Sequence, residues 1–88
     1  MSITIIAVTR AGARLAERLA PELNAVARVP AKFAGEAIIA TPYMASLSDE
    51  VCYWWGRSRA LALIMASGIA VRTIVPLISH KTTDPAVV

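Results

Sequence analysis

The stretch Leu61–Val88, LALIMASGIAVRTIVPLISHKTTDPAVV, reads as strand, turn, helix, turn and strand. Leu61 to Met65 is a short apolar run of the kind that suits a central strand covered on both faces, as strands in parallel sheets are. Ser67 and Gly68 turn the chain. From Ile69 the apolar residues fall at 69, 70, 71, 74, 75, 77 and 78, a helical distribution wide enough to bury one side against a sheet. Asp84 and Pro85 punctuate before Ala86 to Val88, which look like the opening of another strand. Strand, crossover helix and strand make a βαβ unit, and such units are right-handed and parallel in nearly every case.

Working outward, Ile3 to Val8 is a strand and Thr9 to Gly12 its turn into a helix from about Ala11 to Leu23. Leu15, Leu19 and Leu23, four apart, are the expected buried stripe of that helix. Arg14, Glu17, Arg18 and Glu22 form its solvated side, with Arg18 and Glu22 a weak surface pair. Pro21 should kink or end the helix. Ala25 to Val29 is a second strand, and Pro30 to Phe33 opens a less regular stretch. Ala37 to Thr41 reads as an edge strand or extended loop that Pro42 ends. Ser46 or Ser48 caps a helix carrying Leu47, Val51, Trp54 and Trp55, which stops near Gly56. The alternation of strands and helices argues for an α/β fold, a three-layer α/β/α sandwich on a mainly parallel, Rossmann-like sheet, with residues 1–88 a single domain.

Composition narrows the function classes. A chain of 88 residues buries only about 60 to 65% of its unfolded surface. Its hydrophobic share of 57% invites a membrane reading, but the longest uncharged apolar run, Ala60 to Val71, falls short of the roughly 20 residues a spanning helix needs. Met1 and Ser2 lack the basic start of a secretory signal, and the single Cys52 cannot form an internal disulfide, which fits a cytoplasmic protein. Cys52 itself reads as a small core residue. Seven arginines and two lysines against six acids leave a net charge of +3, which favours an anionic partner. The basic residues are scattered and no aromatics interleave with them, which argues against nucleic acid.

In an open parallel sheet, ligands bind beyond the carboxyl ends of the strands where strand order reverses. That edge holds the turns Thr9 to Gly12 and Ala66 to Gly68 and the segment Pro30 to Phe33; His80, Lys81 and Asp84 fall on the opposite edge. Thr9, Gly12, Ser67 and Gly68 are candidates for a carboxylate-binding floor of backbone amides and hydroxyls. The plainer alternative is that Gly68 makes the turn and Ser67 caps its helix. Arg10 can grip a carboxylate with a two-pronged hydrogen bond. Arg72 must reach an anion or pair with an acid such as Asp84. Trp54 and Trp55 point about 100° apart, so one packs inside and the other serves an interface or a flat ligand. His80 has no partners at metal-ligand spacing. Glu36 is a candidate base by position only, so the catalytic residues stay unassigned.

The segments IMASGIAVRTIVPLI (64–78) and KTTDPAVV (81–88), with ITIIAVTRAG (3–12) and VPAKF (29–33), resemble the N-terminal domain of the cobalamin biosynthesis protein CbiG, the cobalt-precorrin-5A hydrolase family. The likeness runs through essentially the whole chain and is loosest from Ala34 to Arg59. It implies a hydrolase of anaerobic vitamin B12 synthesis that opens the δ-lactone of cobalt-precorrin-5A and releases acetaldehyde to give cobalt-precorrin-5B. It also implies a substrate whose carboxylate arms Thr9, Arg10, Gly12, Ser67, Gly68 and Arg72 would hold. The cobalt belongs to that substrate, so no resident metal or cofactor is expected. The implied partners are this cobalt-corrinoid, a porphyrin-like tetrapyrrole, and the C-terminal domains of the same protein, with a homodimer left open and neither nucleic acid nor membrane involved. The family's GxFVxSLLSGHxGGAN-like segment would follow Val88, so residues 1–88 are expected to be the N-terminal piece of a larger enzyme and inactive alone. The rival reading is a non-catalytic scaffold domain that docks pathway enzymes through an exposed patch around Trp54 or Trp55.

Overall fold

The computed structural model describes residues 2–78 and 84–88, apart from the side chain of Glu36; His80 and Lys81 lie outside the described residues. Its elements run β1 (Ile3–Ala7), α1 (Arg10–Leu23), β2 (Val26–Pro30), a 3-10 turn (Ala31–Glu36), β3 (Thr41–Tyr43), α2 (Leu47–Trp55), β4 (Ala60–Ile64), α3 (Ser67–Ile74), a second 3-10 turn (Val75–Leu77) and β5 (Ala86–Val87). The strands form one sheet in the order β3-β2-β1-β4-β5, and every pairing is parallel. The α/β expectation holds.

β1 is the strand buried on both faces. Ile5 and Ala7 meet Ala13, Ala16 and Ala20 of α1 on one side, with Ala27 and Val29 of β2. Ile6 meets Leu61 and Val51 on the other side, where α2 and the partly buried Ile74 and Leu77 pack. The central, doubly covered strand is thus β1 and not Leu61–Met65, where only Leu61 is fully buried. β4 is covered less because β5 pairs with it over only Ala60 and Leu61, and because α3 has no fully buried residue.

The leucine stripe of α1 is also overturned. Leu15 and Leu23 are more than 40% exposed, while the buried face is Gly12, Ala13, Ala16 and Ala20. Small residues let the helix axis approach the sheet closely, and a Cβ on Gly12 would stand 3.0 Å from Ile64 Cγ2. Arg18 and Glu22 do not pair among the described residues. Pro21 stays inside the helix, because three residues from its end the missing N–H removes only one late hydrogen bond. Asn24, in the left-handed conformation at φ 51°, then closes α1, and the Ala25 amide returns to the Ala20 carbonyl at 2.8 Å.

Pro42 does not end a strand but sits in the middle of β3, opposite Val29, which only an edge strand tolerates. Residues 37–40 are irregular. Ser46, not Ser48, caps α2 by accepting the Asp49 amide at 3.2 Å. Cys52 is exposed, contrary to its expected core place, because Val51 takes the buried position beside it. Both tryptophans pack against the Ile6 cluster, each half-buried at one edge of the helix stripe. Their indole N–H groups donate to Glu50 at 2.9 Å and to Asp84 at 3.3 Å, so neither ring forms the expected exposed patch.

Beneath α2 lies an ion pair that joins three elements. Arg28 of β2 donates through Nε to Glu50 Oε2 at 2.5 Å and through Nη1 to Thr41 Oγ1 of β3 at 2.9 Å. Glu50 is only 5% exposed although it stands in the first turn of a helix, where acids usually face water. Its burial makes the pair asymmetric in effect, since removing one partner strands a charge in the interior.

Two outcomes follow for chemical denaturation. Arg28→Met should destabilise the fold by about 3–5 kcal/mol, and Arg28→Met with Glu50→Leu should recover most of that loss. Ala16→Leu should cost about 1–3 kcal/mol by overpacking α1, whereas Leu23→Ala should stay within about 0.5 kcal/mol.

Candidate functional site

β1 sends its chain into α1 on one face of the sheet, and β4 sends its chain into α3 on the other. The two connections diverge between neighbouring strands, so a crevice opens at their carboxyl ends, as the strand-order rule requires. Thr9, Ala11, Gly12, Leu15, Ile64, Met65 and Ala66 line it, and its volume is about 390 Å³. Two helix starts flank this space. At α1, Thr9 Oγ1 accepts the Gly12 amide at 3.0 Å while its own hydroxyl hydrogen can still point to a ligand. Gly12 is therefore a packing residue whose amide is already engaged, and the amides of Arg10 and Ala11 precede the first helical bond.

At α3 the cap position is Ala66, not Ser67, and no side chain caps the helix. The amides of Ile69 and Ala70 both return to the Ala66 carbonyl, which leaves those of Ser67 and Gly68 ahead of the first helical bonds. Gly68 has open space where a Cβ would stand and no positive φ, so the turn itself does not demand glycine. Arg72 is exposed and donates through Nε to the Gly68 carbonyl at 3.3 Å, so it leans back toward the same helix start. It is not drawn to Asp84, which accepts from Trp55.

Of the expected floor, Thr9 and Gly12 line the crevice, while Ser67 and Gly68 follow its lining residue Ala66 and Arg72 stands one turn further along α3. Arg10 is separated from them. Its guanidinium lies 5.6 Å from the centre of the Phe33 ring, on the other side of the α1 start.

Two carboxylates, Glu17, which was expected on the solvated side of α1, and Glu50, do structural work. Glu17 accepts the amides of Ile38 and Ile39 on Oε2, at 3.0 and 2.6 Å, and that of Ala40 on Oε1 at 2.8 Å. Burial would raise its pKa, but these three amides outweigh that effect and hold the group below the usual glutamate value. Glu50 is the other. Nearby, the Tyr43 hydroxyl donates to the Ala7 carbonyl at 2.7 Å, and burial, followed by the charge of Glu50, pushes its pKa up, with Arg28 acting in the opposite sense. Nothing in the spacing could have tied Glu17 to a loop more than twenty residues away. Among the described residues, no three histidines, cysteines or acids gather as a metal site.

Residues 50–88, from α2 to β5, match the family model described as Cobalamin synthesis G N-terminal. The chain is also 36% identical, over 87 residues and 99% of its length, to the cobalt-precorrin-5A hydrolase of Salmonella typhimurium strain LT2. Residues 50–88 carry the pattern of the cobalamin synthesis G N-terminal family. It spans 24% of the length of that relative. No solved structure matches the chain. The matched segment contains Ile64, Met65 and Ala66 of the crevice lining and the α3 start with Ser67, Gly68 and Arg72. No helix among the described residues is long and apolar enough to cross a membrane.

The Glu17 tie has a pH signature. A group with a lowered folded pKa contributes stability that is full above its unfolded value, about 4.3, and is lost as pH falls through the folded one. The amides of Ile38, Ile39 and Ala40 should therefore lose hydrogen-exchange protection below about pH 4. In Glu17→Gln the same amides should be exposed at neutral pH and lose this dependence, at a cost in global stability of about 1 kcal/mol.

Proposed function

We propose that this domain takes part in anaerobic cobalamin synthesis as the N-terminal piece of a cobalt-precorrin-5A hydrolase. The whole enzyme would open the δ-lactone of cobalt-precorrin-5A, release its two-carbon fragment as acetaldehyde and yield cobalt-precorrin-5B, in the cytoplasm. The observation that carries the reading is the crevice between β1 and β4, apolar in lining and flanked by the starts of α1 and α3, whose first amides precede the helical hydrogen bonds. A flat, largely apolar macrocycle edged with carboxylates matches that combination.

In this reading Thr9, Ser67 and Gly68 donate hydrogen bonds to a carboxylate or to the oxygen that gains charge as the lactone opens. Arg72 supplies a cation behind Gly68, and Arg10 takes an arm on the far side of α1. Gly12 keeps α1 close enough to Ile64 to shape the wall. The cobalt comes with the substrate, and the domain has no cofactor of its own.

Val71 of α3, Val75 of the following 3-10 turn and Ile78 after it are more than half exposed, which suits packing against further domains of the same polypeptide. This gives the docking reading a place other than the tryptophans.

Calorimetric titration with a cobalt corrinoid bearing free carboxylates tests the domain's share. Gly68→Ala should leave thermal stability unchanged or slightly higher, because its Cβ meets only open space, yet weaken binding. Arg72→Ala should weaken it about tenfold, the equivalent of one charge-assisted hydrogen bond. A full-length enzyme that binds no cobalt-precorrin and forms no acetaldehyde from cobalt-precorrin-5A would refute the reading.

A further inference from the structure

We propose that Leu15 is a specificity-determining residue of the crevice between β1 and β4, where it presents an apolar wall to a flat, uncharged part of the ligand. That the ligand is a cobalt corrinoid rests on the proposed function; the apolar preference of the crevice does not. Leu15 is the large side chain on this side of α1. Ala11 and Leu15, four residues apart, lie on one side of the helix, and both line the crevice with Gly12. The wall is therefore low at the helix start and tall one turn further in. Long helical side chains lean back toward the helix N-terminus, which directs Leu15 over Ala11.

From β4 and the residue after it, Ile64 and Met65 supply the other large apolar side chains of the lining. Among the described residues, no side chain that lines the crevice carries a charge, and Thr9 supplies its hydroxyl. An ion drawn wholly inside would lose its hydration without gaining an opposite charge. The charges of a ligand are thus kept at the rim, and the part that enters is apolar. At about 390 Å³ the crevice lies near the lower end of the roughly 300–1,000 Å³ of small-molecule sites, so it takes one edge of a macrocycle and not the whole.

The fold does not require a leucine at position 15. Ile64 and Met65 each pack against a core cluster, whereas Leu15 belongs to neither and is 42% exposed. Ala13, Ala16 and Ala20 already serve the sheet side of α1. Single exposed leucines are common on protein surfaces, and Leu23, 44% exposed and outside the crevice lining, is one of them. It stands on the same helix with similar exposure, and so separates a crevice role from mere surface apolarity.

The test is an amide NMR titration of the chain with 2-naphthol, a neutral, flat apolar probe, and with nicotinamide, a neutral, flat polar one. 2-Naphthol should give saturable shifts at residues 11–15 and 64–66, and nicotinamide should bind about tenfold more weakly. Leu15→Ala should weaken 2-naphthol about tenfold, the equivalent of roughly two methylenes withdrawn from contact. Leu15→Asn, of similar size but polar, should weaken it at least as much, and Leu15→Met should restore most of the affinity. Leu23→Ala should change nothing. Each variant should keep its thermal midpoint within about 4 °C of the parent, so that lost binding is not lost fold. Equal binding of the two probes, shifts confined to residues 71–78, or 2-naphthol affinity indifferent to Leu15→Ala overturns the proposal. A cobalt corrinoid bearing free carboxylates then connects the wall to the proposed function. Binding that weakens about tenfold in Leu15→Ala and not in Leu23→Ala places the corrinoid ring against Leu15. Corrinoid binding undiminished in Leu15→Ala defeats the proposal and spares the proposed function. 2-Naphthol binding that depends on Leu15, with no corrinoid binding, upholds the apolar wall and removes the domain from substrate binding.

Discussion

The need to cover β1 on both faces governs this small fold. A parallel strand with Ile5, Ile6 and Ala7 all removed from water has no polar side to offer, so one helix must lie on each face. The chain meets that need by crossing from one face to the other between β3 and β4, which places β4 beside β1 and sends α1 and α3 apart. The crevice is the space left where they part. Its position is therefore a consequence of packing, and the helix starts on its rim come with it.

A chain of this size has little apolar area to spare, and polar side chains complete the joints that the core does not reach. Arg28 and Glu50 fasten β2 to α2, and Thr41 adds β3 to the same cluster. Glu17 secures residues 38–40, whose backbone has no strand partner at that point. Tyr43 links β3 to the end of β1 through the Ala7 carbonyl. Each tie joins segments that are distant in sequence at the β3 side of the sheet. On the β5 side Trp55 is tied to Asp84, and there Val71, Val75 and Ile78 remain in solvent.

The sequence made the order of elements legible because each has a local signal: the apolar run of β1, Ser46 three residues before Asp49, and the turn at Ser67 and Gly68. It did not disclose depth. Leu15, Leu19 and Leu23 make as regular a stripe as Ala13, Ala16 and Ala20, and periodicity cannot tell which of two stripes faces the sheet. The choice is made by how close the helix can come, a property of Gly12 against Ile64. The central place of β1 was equally hidden, since an apolar run looks the same in either position. At the candidate site, the turns were legible from the strand-order rule, but the division of labour within them was not. The engagement of the Gly12 amide by Thr9, and the turning of Arg10 toward Phe33, depend on side-chain directions that only the folded chain fixes.

That turning of Arg10 also explains why the basic balance of the chain is not spread evenly around its ligand edge. α1 begins between two spaces of different character. Toward β4 the lining is apolar and the anion-friendly groups are backbone amides, whose partial charges favour an anion only at short range. Toward Phe33 the side chains of Arg10, Arg14 and Arg18 line a groove together with Glu17. Thr9 and Arg10, adjacent in sequence, thus belong to different spaces.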